Sequence, residues 1–156
     1  MTDSQPPISE KDVPFLEKVM TQAKLPDIYD ARDITVVVFR TMRDLMTTDA
    51  AKKVASEFET KESQKEEKID GDDLALLWKD TNPLVAFLSK VRPPLQFDGE
   101  TFIFRVNQES GVPKGIDAKN VIKAVFSATK AELSPERVKE IAGFLPDKVR
   151  DIWNEA

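Results

Sequence analysis

The sequence predicts an all-α protein: two similar helical repeats of about four helices each, packed into one compact unit and joined by a short helix and a Pro-Pro linker. Three observations carry this. First, apolar and small residues recur at i, i+3, i+4, i+7 and i+11 through Thr35, Val38, Phe39, Met42 and Met46, and again through Ile122, Val125, Phe126, Thr129 and Leu133. That spacing marks one face of a helix. Second, residues 15–58 lie over residues 102–145 at a constant shift of 87 positions without a gap. Phe15 meets Phe102, Val19 meets Val106, Pro26 meets Pro113, Val38-Phe39 meets Val125-Phe126, and Ala55 meets Ala142. Third, helix start and stop residues punctuate both copies at matching places.

The elements follow in chain order. Residues 1–11 are polar and Pro-containing and are expected to be a disordered tail. The first repeat spans 12–80, a connecting helix and linker 81–98, and the second repeat 99–156. In each repeat the first helix begins near Asp12 or Gly99 and ends before Pro26 or Pro113. The stretch 95–104 contains Asp98-Gly99, a hairpin-type turn. The repeat places the end of this stretch over 14–20, which reads as a helix, so both are assigned to helix.

The second helix is expected to take Asp30 or Asp117 as its cap, a carboxylate accepting from a free amide of the first turn. Val36 and Val37 widen its apolar arc, which marks it as central. The third opens at Thr47, or at Ser134-Pro135-Glu136, a hydroxyl cap followed by Pro at the first helical position. It buries Ala51, Val54, Ala55 and Phe58, or Val138, Ile141, Ala142 and Leu145.

The fourth helix of the second repeat carries Val149, Ile152 and Trp153 on one face. Leu74, Leu77 and Trp78 repeat that spacing in the first half, after a charged insertion at 59–71 that is either a solvated loop or an extension of the third helix. Residues 82–91 form the joining helix, stopped by Pro93-Pro94.

Composition narrows the chemistry. The chain of 156 residues has a net charge of -5, a sequence pI near 4.9, no cysteine and no histidine. An acidic balance opposes a nucleic-acid partner, which needs a dense basic footprint. Without His or Cys there is no imidazole base, no thiolate nucleophile and no Cys- or His-ligated metal site. No apolar run approaches the roughly 18 residues of a membrane helix. The N-terminus lacks a basic region followed by an apolar run, so the expected location is cytoplasmic.

No catalytic, cofactor-binding or metal-binding residue stands out. Asp70, Asp72 and Asp73 begin like a calcium loop, but the Gly and the bidentate Glu are misplaced, and a solvated loop fits better. Arg40, Arg43, Lys52 and Lys53 are diluted by Asp44, Asp49 and Glu57, so they read as a solvated face.

The interaction candidates are Trp78, Trp153, Arg92 and Phe97. Each Trp closes a helix on an apolar face, as a core anchor or as an exposed contact point, since Trp and Arg dominate interface energetics. Arg92 and Phe97 flank the Pro-Pro linker, either a stiff spacer or a partner-binding crossing.

The ending "LSPERVKEIAGFLPDKVRDIW", with its Leu145-Pro146 pair and terminal Trp153, resembles DUF2267, an uncharacterised bacterial family of tandem helical repeats. The resemblance covers about 15–153. The first half departs from it, with Phe58-Glu59 in place of Leu-Pro and with the 59–71 insertion. The resemblance implies a fold and no activity.

The expected function is therefore a non-enzymatic helical-repeat adaptor that binds a protein partner, with self-association possible. The alternative is an apolar small-molecule-binding protein that uses Phe39, Met42, Met46 and Phe126 between its central helices. An enzyme would have to work with Asp, Glu, Lys, Arg, Ser or the single Tyr29, without a Gly-rich phosphate loop.

Overall fold

A computed structural model describes residue 8 and residues 10–62 and 96–156. Every regular element among these residues is helical. A 3-10 turn, Glu10–Asp12, leads into α1 (Val13–Ala23), followed by α2 (Ile28–Asp44) and α3 (Thr48–Glu62). The second set is α4 (Gly99–Ser110), α5 (Ala118–Ala131), α6 (Pro135–Phe144) and α7 (Asp147–Glu155). Of the stretch 95–104, the residues from Gly99 onward are helix, while 96–98 are irregular and Asp98 caps the helix by accepting from the Thr101 amide at 2.9 Å. Within the stretch expected to be a tail, Ile8 and Glu10–Asp12 are ordered parts of the fold: Ile8 packs against the core and Glu10–Asp12 forms the turn.

The caps explain most helix starts. Asp117 accepts from the Lys119 amide at 3.0 Å, Thr47 from Ala50 at 3.1 Å, and Ser134 from Arg137 at 3.3 Å. One expectation fails. Asp30 does not cap α2; Asp27 does, accepting from the amides of Tyr29 at 2.8 Å and Asp30 at 3.0 Å. The earlier carboxylate reaches the free amides first, so α2 starts three residues before Ala31, the counterpart of the first residue of α5. The third helix continues past Phe58 to Glu62, taking in the first residues of the charged insertion.

Helix ends differ between the halves in an informative way. The C-cap of α4 is Gly111 in the left-handed region (φ 67°). The C-cap of α1, 87 positions earlier, has the same conformation (φ 58°) but is Lys24. A side chain there costs on the order of 1 kcal/mol that glycine avoids.

The two sets pack reciprocally. α1 lies on α5 and α4 lies on α2, while α2 also touches α5 and α3 meets α6. α7 covers α4 and α5. Equivalent residues make equivalent contacts: Phe15 and Phe39 meet edge to face at 5.9 Å, and Phe102 and Phe126 at 6.3 Å. All four rings are buried, together with Leu16, Val19, Ile34, Val38, Met42, Ile122 and Val125. Each such side chain contributes about 1.5–3 kcal/mol relative to exposure.

The buried Thr41 and Thr129 hydroxyls donate to the carbonyls four residues back, at 2.7 and 2.6 Å, and so bring no unpaired polar group into the core. Thr35 is also fully buried, and its Oγ1 has no hydrogen-bond partner. Its counterpart is Ile122.

Candidate functional site

Trp153 is 0% exposed. Its ring meets Phe126 edge to face at 5.0 Å, and Nε1 donates to the Val138 carbonyl at 3.1 Å. Lys130 Nζ lies 5.6 Å from the ring centroid and donates to the Trp153 carbonyl at 2.7 Å and the Ala156 carbonyl at 3.1 Å, closing the end of α7. The structure thus makes Trp153 a core anchor that ties α7 to α5 and α6. As an exposed contact point it is corrected, because no part of the ring reaches solvent. Trp78 and Arg92 lie outside the described residues, as do Asp70, Asp72, Asp73 and the expected helices over 72–91.

Phe97 is half-buried just before α4. The Arg105 guanidinium lies 5.3 Å from its ring centroid. Arg105 also reaches Asp44 at the end of α2 at 3.2 Å and Glu109 at 3.6 Å. Phe97 is therefore drawn against α4 and linked through Arg105 to α2. On the outer face of α4 stands Phe104, 62% exposed. Glu100, Thr101, Asn107 and Gln108, its neighbours one turn away, are all exposed. The result is one large aromatic ring surrounded by polar side chains.

Phe104 is not among the interaction candidates above, although the repeat register contains the signal. Its counterpart is Glu17, an exposed charge, so a ring there serves no core position.

A second cluster joins the two sets. Glu57 of α3 accepts from the Ser134 amide at 2.7 Å, the Ser134 hydroxyl at 3.0 Å and Arg137 Nε at 3.1 Å. One carboxylate thus satisfies free donors at the start of α6 and pairs with a buried arginine. Arg137, only 8% exposed, also pairs with Glu136 at 3.2 Å and with Glu140. Burial lowers its pKa, but Glu140, Glu57 and Glu136 outweigh this and raise it above the ordinary value. This is a structural clasp with a permanently charged centre, not an acid-base pair. Glu57 had appeared only as one of the acids diluting a basic face. Arg40, Lys52 and Lys53 of that face are exposed.

Two carboxylates have shifted titrations. Burial, with Asp27 and Asp33 nearby, raises the pKa of Asp30. The Thr101 amide lowers that of Asp98. Neither faces a second group in acid-base geometry. Among the described residues no group of three or more acidic side chains is placed to hold a metal ion, and no helix is long and apolar enough to cross a membrane.

Fold and surface together define an all-helical protein with two reciprocally packed helix sets. The model of the family DUF2267, described as an uncharacterized conserved protein, matches residues 13–152, from the first residue of α1 into α7. The chain belongs to this family. No curated protein matches the chain.

Proposed function

We propose that the chain is a non-enzymatic helical interaction module that binds a protein partner through the outer face of α4. The supporting observation is Phe104, a 62% exposed aromatic ring within a polar, exposed surround. Binding energy at protein interfaces concentrates in such aromatic anchors, with the polar rim excluding water. Arg105, paired with Asp44 and lying over the Phe97 ring, links the start of that helix to α2. The composition supports the non-enzymatic part, since it lacks the side chains most used for acid-base and nucleophilic chemistry near neutral pH. Cytoplasmic location and possible self-association belong to the same reading.

The alternative, a module for an apolar small molecule, draws on Phe39, Met42, Met46 and Phe126. These four are buried in one hydrophobic core, so ligand entry would require that core to open.

The test is capture of partners by the tagged chain from the cells that make it, followed by binding measurements with the purified partner. Phe104→Ser should keep the melting temperature and weaken that partner at least tenfold. A partner bound equally well by the variant, or no partner at all, removes the proposal.

A further inference from the structure

The outer face of α4 carries a pattern that the fold does not require. Phe97, Phe104 and Gly111 stand seven residues apart, a spacing of two helical turns. Phe97 lies at the N-terminal end, just before the Asp98 cap, half-buried with the Arg105 guanidinium over its ring. Phe104, in the middle, is 62% exposed. Gly111 is the C-cap at the other end, exposed, with nothing within 4 Å of the place where a Cβ would stand. At the mirrored places of the first set stand Glu10, Glu17 and Lys24, all exposed and all charged. α1 lies on α5 as α4 lies on α2, so the same packing is reached with charge at all three places. The two rings and the glycine answer to something outside the fold.

The same face presents no unbalanced charge. Thr101, Asn107 and Gln108 are the uncharged exposed side chains one turn from Phe104. The two acids of α4 are held by cations of the same chain, Glu100 by Lys148 at 2.8 Å and Glu109 by Arg105 at 3.6 Å. Two copies of a chain of net charge -5 repel each other, and a neutral patch is where they can meet closely. A strongly basic or acidic partner finds no complementary charge there.

The face is also complementary to itself. When two α4 helices run antiparallel and cross at Phe104, residues equally far from 104 on either side come opposite one another. Phe104 meets Phe104 of the second copy. Thr101 meets Asn107, two uncharged hydrogen-bonding groups, and Glu100 meets Gln108, a carboxylate and an amide. Phe97 meets Gly111, a ring over a residue without a side chain. Among these pairs no like charges are opposed. A two-fold interface requires such a match of one patch with itself.

Resting on the reading of α4 as the interaction face, we propose that its partner is a second copy of this chain, docked α4 against α4 about a two-fold axis at Phe104. The contact follows one helix of 12 residues, about 18 Å long, so it is a weak and reversible interface.

The test is analytical ultracentrifugation and amide-resolved NMR of the full chain, over a concentration series from about 10 μM to about 1 mM. A reversible monomer–dimer equilibrium is expected, with concentration-dependent shifts centred on residues 97–111. Phe104→Ser should weaken the dimer at least tenfold and leave the melting temperature unchanged. Gln108 reads the antiparallel register. Gln108→Glu opposes Glu100 of the second copy and should weaken the dimer about threefold, and Gln108→Lys should tighten it by a similar factor, since each change acts twice across the axis. Gln22→Glu and Gln22→Lys, on α1, alter the net charge equally and should move the dimer less than about twofold. A chain monomeric at about 1 mM, a dimer indifferent to Phe104→Ser, or Gln108 variants that shift it in the same direction would overturn the proposal. If Phe104→Ser loses a captured protein while the wild type stays monomeric, the self-association is overturned and the α4 interface stands.

Discussion

Replacing Trp153 with alanine separates a core anchor from a surface one. The ring is fully buried, packs edge to face on Phe126 and carries one hydrogen bond to Val138. Truncating a buried Trp costs about 3–5 kcal/mol, from lost transfer energy and the cavity left behind. The Val138 carbonyl loses its Trp donor, and the end of α7 loses the ring beneath Lys130, so the upper part of that range applies. For a chain of this length the melting temperature should fall by roughly 10 °C or more. The assay is thermal and urea unfolding followed by circular dichroism at 222 nm. Trp153→Phe serves as the control. It keeps most of the ring and loses the Nε1 donor, so it should cost about 1–2 kcal/mol. A Trp153→Ala protein melting within about 2 °C of the wild type would refute the packing argument.

Other consequences are equally open to measurement. Glu57→Ala should cost about 2 kcal/mol in urea unfolding, because Ser134 loses its acceptor across the two sets and buried Arg137 keeps only Glu136 and Glu140. Thr35→Val should raise stability by about 1 kcal/mol, since it removes an unpartnered buried hydroxyl at nearly constant volume; a fall in the melting temperature would mean that the hydroxyl is satisfied. Asp98 has a lowered folded-state pKa, so its contribution is fully present above its ordinary value of 3.8 and is lost as pH falls through the lowered value. Asp98→Asn should flatten the acid limb of a melting-temperature profile. Asp30 has the opposite sign: its pKa is raised, so it subtracts stability as pH rises past the ordinary value of 3.8, and Asp30→Asn should melt higher at pH 7 but not at pH 3.

The sequence by itself determined the helices and most of their buried faces. Period, caps and the 87-residue register are local or nearly local information. They placed Phe15, Phe39, Phe102 and Phe126 in the core and resolved the Asp98-Gly99 ambiguity in favour of helix. At the start of α2 the expectation fails: Asp30 is the expected cap, whereas Asp27 holds that place and accepts from Tyr29 and Asp30. The role of Trp153 was also beyond the sequence. An apolar helix face faces either a neighbour or solvent, and only the position of α7 over α4 and α5 says which.

The same limit applies to the surface features. Exposure of Phe104 was recoverable from its register with Glu17, but the clasp of Glu57 with Ser134 and Arg137 joins residues 77 and 80 positions apart, a distance no local pattern spans. Residue type sets what each segment can bury or bond, and tertiary packing sets which of those capacities are used internally and which remain free for a ligand or partner.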